Sequence, residues 1–301
     1  MNGVIVINKE ADFTSFDVVA VVRRTLHTKK VGHCGTLDPN ATGVLPILVG
    51  NATKAQDIIP NHDKSYVAEF KFGYSSDTLD IWGDVKEGTK PSITKAELID
   101  TLSKFTGKIM QTPPMYSAVQ KDGVRLYELA RKGIEIERAA REVTIYTLEL
   151  LDFDQNTQSG KLEISCSKGT YIRQLIVDVA QALSTTAVMT SLVRTSACGF
   201  VLSDAITLTE LKTLAESEQV QSRLMPVDSL FVSYDEVVVS EKQAVRFYNG
   251  NPLDIERTRL RDMDLTDGKI FRVKDTDGAF LGLGIIDIEK SVLKIYKHFE
   301  K

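Results

Sequence analysis

Cysteine, histidine and long apolar runs are scarce in this chain, and each shortage removes a class of function. Cys34, Cys166 and Cys198 are far apart, odd in number and free of any C-x-x-C pair. That spacing excludes a disulfide framework and a cysteine-rich zinc site. His27, His33, His62 and His298 form no H-x-x-x-H or H-E-x-x-H pair, so no metal is expected. No segment approaches the ~18 apolar residues of a membrane span. The opening MNGVIVINKE holds an apolar run too short for a signal h-region and lacks basic flanks. Repeats, low-complexity tracts and a phosphate-cradling glycine loop are missing as well. Positive charge is not in excess, since 37 Lys and Arg stand against 41 Asp and Glu for a net charge of -4. A polyanion would have to be met by a local basic face. These absences predict a reduced, cytoplasmic protein that needs no metal and spans no membrane.

What is present is ordinary globular material. Hydrophobic residues make up 43% and charged residues 26% of 301 positions, enough to bury a core. The length suggests two domains at ~150 residues each. GVIVIN (3–8) reads as a buried strand, and TSFDVVAVVRRTL as a helix capped by Thr14 or Ser15. VLPILVG (44–50) is strand-like, with Pro46 predicting an edge or an irregular stretch. SYVAEFKFG (65–73) alternates like a strand, and DTLDIWGD (77–84) reads as a polar loop with the only tryptophan. Thr94 with Glu97 and Thr207 with Glu210 are capping boxes, stapled by Ile93–Leu98 and Ile206–Leu211.

In KLEISCSKGTYIRQLIVDVAQAL (161–183), Leu162, Ile164 and Cys166 alternate as a half-buried strand. After Gly169 and Thr170, the residues Ile172, Leu175, Ile176, Val179, Ala180 and Leu183 take helical spacing. Tyr171 and Arg173 thus sit where a strand hands over to a helix, a rigid support for site residues. From about residue 231, short segments with turn signals such as Asp277-Gly278 predict a small β-rich domain, its boundary falling within residues 217–231.

HCGTLDPNATG (33–43) carries one carboxylate, Asp38. Locally it reads as a turn: Asp before Pro39 opens one, and Gly35 and Gly43 permit backbone angles closed to other residues. The surrounding blocks change that weighting. They are VGHCGTLDPNATGVLPILVGNATK (31–54), SYVAEFKFGYSSDTLDIWG (65–83), QTPPMYSAVQKDGVRLYELARKG (111–133), CSKGTYIRQLIVDVAQAL (166–183), SLVRTSACGF (191–200) and LMPVDSLF (224–231). In order and spacing, across most of residues 1–231, they closely resemble the TruB-type tRNA pseudouridine-55 synthases.

The resemblance implies an α+β protein. Its catalytic domain (1–228) would hold a mixed, largely antiparallel sheet flanked by helices, with an RNA-binding insertion at about 111–141. A small β-barrel-like PUA domain (231–301) that binds RNA would follow. The implied activity isomerises uridine 55 in the tRNA T-arm loop. The N1–C1′ bond breaks, the base rotates and a C5–C1′ bond forms, without redox change or cofactor. By resemblance Asp38 is the nucleophile and Arg173 its ion-pair partner. Tyr66 stacks on the base near the C5 proton, and stacking carries more weight because a phenol of pKa ≈ 10 is a weak base. Tyr171 orients Arg173 or lines the pocket, and Leu192 lines the pocket or packs in the core. His33 either fills the gap left by the flipped uridine or is structural.

Phosphates would be met by Lys29 and Lys30 before the turn and by Lys121, Arg125, Arg131, Lys132, Arg138 and Arg141 in the insertion. The partner is the T-arm stem-loop of tRNA, bound by a monomer. The alternative is a tRNA-binding or folding module with a vestigial catalytic site. Cys34 as nucleophile is rejected, since no paired base would activate it. A glycosidase would need a second acid opposite Asp38, a role that Asp77, Asp80 and Asp84 do not match. Two positions depart from the family pattern. Lys9-Glu10-Ala11-Asp12 replaces Lys-Pro-x-Gly, which bears on that loop's conformation, and Cys34 replaces a common Thr.

Overall fold

The computed structural model describes residues 1–299, so residues 300 and 301 of the expected C-terminal domain lie outside the described residues. The chain runs β1 (Gly3–Lys9), α1 (Ser15–Thr25), β2 (Val31–His33), β3 (Thr42–Val49), β4 (Lys64–Phe72), β5 (Tyr74–Ser76), β6 (Val85–Glu87), α2 (Lys95–Ser103) and β7 (Gly107–Gln111). It continues through β8 (Gln120–Lys121), β9 (Val124–Arg125), α3 (Leu126–Ala130), β10 (Arg141–Asp154), β11 (Ser159–Cys166), α4 (Ile172–Ala182), β12 (Ala187–Ala197), β13 (Phe200–Val201) and α5 (Leu208–Glu216). The last part holds β14 (Asp235–Val238), α6 (Glu241–Tyr248), β15 (Leu253–Asp254), β16 (Ile270–Lys274), β17 (Phe280–Asp287) and β18 (Val292–Lys297).

Nine strands make one sheet in the order β1-β3-β12-β4-β11-β10-β7, with β2 beside β3 and β13 beside β12. Its pairings are antiparallel except that of β3 with β12. Helices start where local capping chemistry directs. The Thr14 hydroxyl accepts from the Asp17 N–H while the Asp17 carboxylate accepts from the Thr14 N–H, so two orphan donors are satisfied. Thr94 with Glu97 and Thr207 with Glu210 repeat the device. Thr14, not Ser15, is the cap of α1. Ser15 lies inside the helix, exchanging hydrogen bonds with the Leu37 backbone.

The helices cover one face of the sheet, for the register puts Gly43, Leu45 and Ile47 of β3 on the same side as Arg194 of β12, Tyr66 of β4 and Ile164 of β11. Val18, Val22 and Leu211 of α1 and α5 pack on Ile5, Ile7, Leu45 and Ile47. Leu98, Leu102, Leu175 and Ile176 of α2 and α4 pack on Ala68, Phe70 and Ile164. Burial of each such side chain contributes about 1.5–3 kcal/mol before entropy is counted.

Pro46 corrects the expectation of an edge or irregular strand, for β3 is interior and regular, with β1 on one side and β2 and β12 on the other. The Pro46 carbonyl accepts from the Cys34 N–H, so its missing donor faces the same side, where β2 has just ended. Proline is tolerated there because no strand waits for its hydrogen bond.

Gln111 pairs with Arg141, so residues 112–140 leave the sheet and return at adjacent points of β7 and β10. The β8–β9 hairpin and α3 lie on this excursion. The C-terminal sheet runs β14-β16-β17-β18-β15 around Phe247, Leu260, Phe271 and Val273. Its β16–β17 hairpin turns at Asp275–Ala279, as Asp277-Gly278 predicts.

Candidate active site

The segment between β2 and β3 is held from several sides. Ala41 N–H donates to the Asp38 carbonyl at 3.1 Å, closing the predicted turn. Leu37 is tied to Ser15 of α1, and the Lys9 ammonium donates to Pro39 O at 2.7 Å, Phe13 O at 2.6 Å and Glu10 O at 2.8 Å. Lys9 is fully buried, and that burial pushes its pKa down to about 8, so it stays protonated at neutral pH with all three N–H groups used. The Lys9–Asp12 loop accommodates its departure from Lys-Pro-x-Gly: Asp12 takes φ 64°, a left-handed conformation that Asp tolerates better than most residues. Gly43 is required at the other end. It has φ 105°, and a Cβ there would lie 2.2 Å from the Arg194 carbonyl where β12 passes.

Asp38 meets Arg173 across this turn. The Arg173 Nη2 lies 3.0 Å from Asp38 Oδ2, and its Nη1 lies 3.6 Å from Asp80 Oδ2. The guanidinium also donates to Thr78 O at 2.7 Å and Tyr116 O at 3.0 Å. Arg173 is the second residue of α4, where the helix dipole disfavours a cation, and two carboxylates offset that. The Arg173 and Asp80 side chains are 8% and 11% exposed while Asp38 is 41% exposed, so the acid open to a substrate has a buried counterion. Asp80 accepts from Thr78 Oγ1 at 2.6 Å and from Trp82 N–H at 3.1 Å, yet burial lifts its pKa above the usual carboxylate range.

Tyr66 and Leu192 are buried in one apolar cluster with Leu37, and burial pushes the Tyr66 phenol up to about 12. At that value the phenolate is scarce near neutral pH, which disfavours Tyr66 as a base. His33 packs edge-on against Phe16 with ring centroids 6.2 Å apart. Burial and the Arg194 charge lower its pKa, so it is neutral at pH 7. Tyr171 caps α4 with its backbone clasped by Gln111: Gln111 Oε1 accepts from its N–H at 2.8 Å and Gln111 Nε2 donates to its carbonyl at 3.1 Å. The contacts that orient Arg173 come from Thr78, Tyr116 and Asp80. Cys34 is buried and hydrogen-bonded to Cys198, which together with burial pushes its thiol far up, leaving an inert sulfur. Among the described residues no group of three or more His, Cys, Asp or Glu could hold a metal ion.

Lys29 and Lys30 are exposed beside α1 and β2, with Lys30 donating to Asn51. Lys121, Arg125, Arg131 and Lys132 are exposed on the 112–140 excursion, Arg125 and Arg131 flanking the Tyr127 ring. Arg138 is half-buried, donating to Pro113 O and Glu135. Three residues around the site escape the sequence reading. Asp80 is a buried carboxylate rather than part of a merely polar loop, and Lys9 and Arg194 are fully buried cations around the turn. The available signal is a charged residue inside an apolar strand, at Lys9 after GVIVIN and at Arg194 after Leu192 and Val193.

Residues 23–172 match the family model described as TruB family pseudouridylate synthase (N terminal domain), and residues 173–232 match that of the tRNA pseudouridylate synthase B C-terminal domain. A tRNA pseudouridine synthase B from Clostridium perfringens is 42% identical over 285 residues, covering 94% of this chain and 95% of its own length. One from Geobacillus thermodenitrificans is 43% identical over 256 residues, covering 83% of this chain and 85% of its own. The solved "Structure of H/ACA RNP bound to a substrate RNA containing 2'-deoxyuridine" contains a chain that aligns with TM-score 0.75 at 21% identity, covering 99% of this chain and 85% of that one. At that identity the likeness is one of fold.

Proposed function

Because the chain belongs to the TruB family of pseudouridylate synthases, and so is an isomerase that makes pseudouridine in tRNA, we propose that Asp38 is its nucleophile and uridine 55 of the T-arm loop its target. The observation that carries the reading is the 3.0 Å ion pair between Asp38 and a buried Arg173; their chain neighbours Leu37 and Ile172 belong to the apolar cluster containing Tyr66 and Leu192. The alternative of a vestigial site is disfavoured by this intact set.

In the proposed reaction the uridine leaves its stack, at a cost of a few kcal/mol, and enters between Asp38 and Tyr66. His33, neutral and held by Phe16, offers a flat ring to the vacated position. The Asp38 carboxylate attacks the nucleoside, and the N1–C1′ bond breaks. Uracil then rotates against Tyr66, C5 bonds to C1′, the bond to Asp38 breaks and frees the carboxylate, the C5 proton leaves and N1 is protonated. Product and substrate are isomers, so atoms and electrons balance without an external reagent. Arg173 fixes the Asp38 carboxylate, while Tyr171 and Leu192 line the pocket. Lys29, Lys30 and the cations of the excursion meet T-arm phosphates, and the C-terminal sheet acts as a PUA-like RNA contact. The protein works as a cytoplasmic monomer.

Tritium release from tRNA labelled at uridine C5 tests the assignment. Asp38→Asn is expected to abolish release while tRNA binding survives; turnover near the normal rate would refute the nucleophile. Chemical mapping of tRNA from cells lacking the protein is expected to show loss confined to position 55.

A further inference from the structure

Among the described residues Arg194 is the largest fully buried side chain, and no carboxylate is among its partners. A charge taken out of water without a counterion costs several kcal/mol, and this one sits on a strand directly after Leu192 and Val193. Folding alone would be served by an apolar side chain there.

What the guanidinium does is specific. Its Nε donates to Val44 O at 2.7 Å, its Nη1 to Thr36 O at 3.1 Å and its Nη2 to Gly35 O at 3.2 Å. Gly35 and Thr36 precede Asp38 and Val44 follows it, so one planar fork joins both limbs of the turn. Arg194 also lies directly across from Tyr66 in the β12–β4 register, which puts their side chains on one face of the sheet. Its charge bears on the Tyr66 phenol, opposing the rise that burial causes. A lysine would place a point charge where three donors with fixed directions are needed.

We propose that Arg194 is a positioning residue, a buried guanidinium that holds the two limbs of the Asp38 turn together and sets them against Tyr66. This rests on the reading of Asp38 as nucleophile. It assigns Arg194 no contact with the substrate: it acts through the carbonyls of Gly35, Thr36 and Val44.

The test uses the full chain with C5-tritiated tRNA under single-turnover conditions, beside tRNA affinity by filter binding and thermal unfolding. Arg194→Lys is expected to fold and bind tRNA like the wild type but to release tritium about 10²-fold more slowly, the scale of an ångström-sized misplacement. In Arg194→Ala, ethylguanidinium is expected to restore part of the rate and ethylammonium at the same concentration is not. A normal rate in Arg194→Lys, a rate loss matched by an equal loss of tRNA affinity, or equal rescue by both cations would overturn the proposal. Should Arg194→Ala fail to fold, the Arg194→Lys comparison of rate against affinity decides alone. Asp38→Asn, run in parallel, separates the two readings: full activity there refutes the nucleophile, whatever Arg194 shows.

Discussion

Replacing Asp80 by Asn would remove one charge and keep the shape. The carboxylate oxygen that disappears stands 3.6 Å from Arg173 Nη1 in a side chain only 11% exposed. At an effective dielectric of ~20, that pair attracts by about 4–5 kcal/mol before desolvation is subtracted. Most of this is offset by the cost of taking both charges out of water. What survives changes how Arg173 divides itself. Oδ1 of an Asn would still accept from Thr78 and Trp82, which turns the amide N–H toward the guanidinium, donor against donor. Asp38 would then be the one carboxylate left to Arg173 beside the Thr78 and Tyr116 carbonyls, and the proposed nucleophile would be held harder and in a shifted direction. We expect kcat to fall 10- to 100-fold, about 1.4–2.7 kcal/mol of barrier, with the tRNA dissociation constant unchanged. The pH profile adds a second reading. Burial raises the Asp80 pKa, so as pH falls it protonates before an exposed aspartate would and withdraws its charge from Arg173. The acid limb of wild-type kcat is therefore expected at higher pH than that of Asp80→Asn. Single-turnover tritium release and filter binding, each across pH, are the assays. Unchanged kcat, or a loss carried entirely by tRNA affinity, would refute this electrostatic division of Arg173 between two acids.

Three further outcomes are expected. Lys9→Met leaves the carbonyls of Glu10, Phe13 and Pro39 without their donor; at about 1–3 kcal/mol for each group left unsatisfied, calorimetry should show a lowered Tm, and an unchanged Tm would mean water replaces the ammonium. Gly43→Ala forces a Cβ to within 2.2 Å of the Arg194 carbonyl at φ 105°, so the variant should be largely unfolded or inactive by circular dichroism and tritium release. Arg131→Glu with Lys132→Glu should weaken tRNA binding and flatten its dependence on salt concentration by about one slope unit for each phosphate no longer neutralised, while the single-turnover rate at saturating tRNA stays the same; an unaltered slope would take these residues off the RNA.

Features written in a few adjacent residues are legible from sequence. The capping boxes at Thr94 and Thr207 need only a hydroxyl and a carboxylate three positions on, whereas at α1 adjacent Thr14 and Ser15 both read as caps and the structure selects Thr14. Pairing of Asp38 with Arg173 is legible only through collinear blocks that place both in one family's pattern. β10 escapes because its burial does not alternate cleanly and its pairing with β11 slips twice, so period-2 counting loses the strand. Pro46 misleads because a strand's neighbour can change partway along its length. Asp80 and Arg194 escape for another reason. Asp80 is enclosed against Arg173 of a distant helix, and Arg194 bonds carbonyls 150 to 159 positions away; a charge beside apolar residues flags Arg194 but names none of these partners.

Buried cations around a partly open carboxylate follow a consistent physical logic. On the proposed reading Asp38 faces an incoming nucleoside, so it cannot be enclosed by its own protein; its position has to be enforced from behind. Arg173 does this from a helix start, Lys9 through the Pro39 carbonyl that follows Asp38, and Arg194 through carbonyls on both limbs. Each of the three is at least nine-tenths buried, so none is loosened by solvent when the site is empty. When RNA covers the turn, the remaining water around Asp38 is displaced and the same charges act across a lower dielectric. The 3.0 Å Asp38–Arg173 contact therefore strengthens only once substrate is seated, which ties the electrostatics of the turn to occupancy of the pocket rather than to the resting fold.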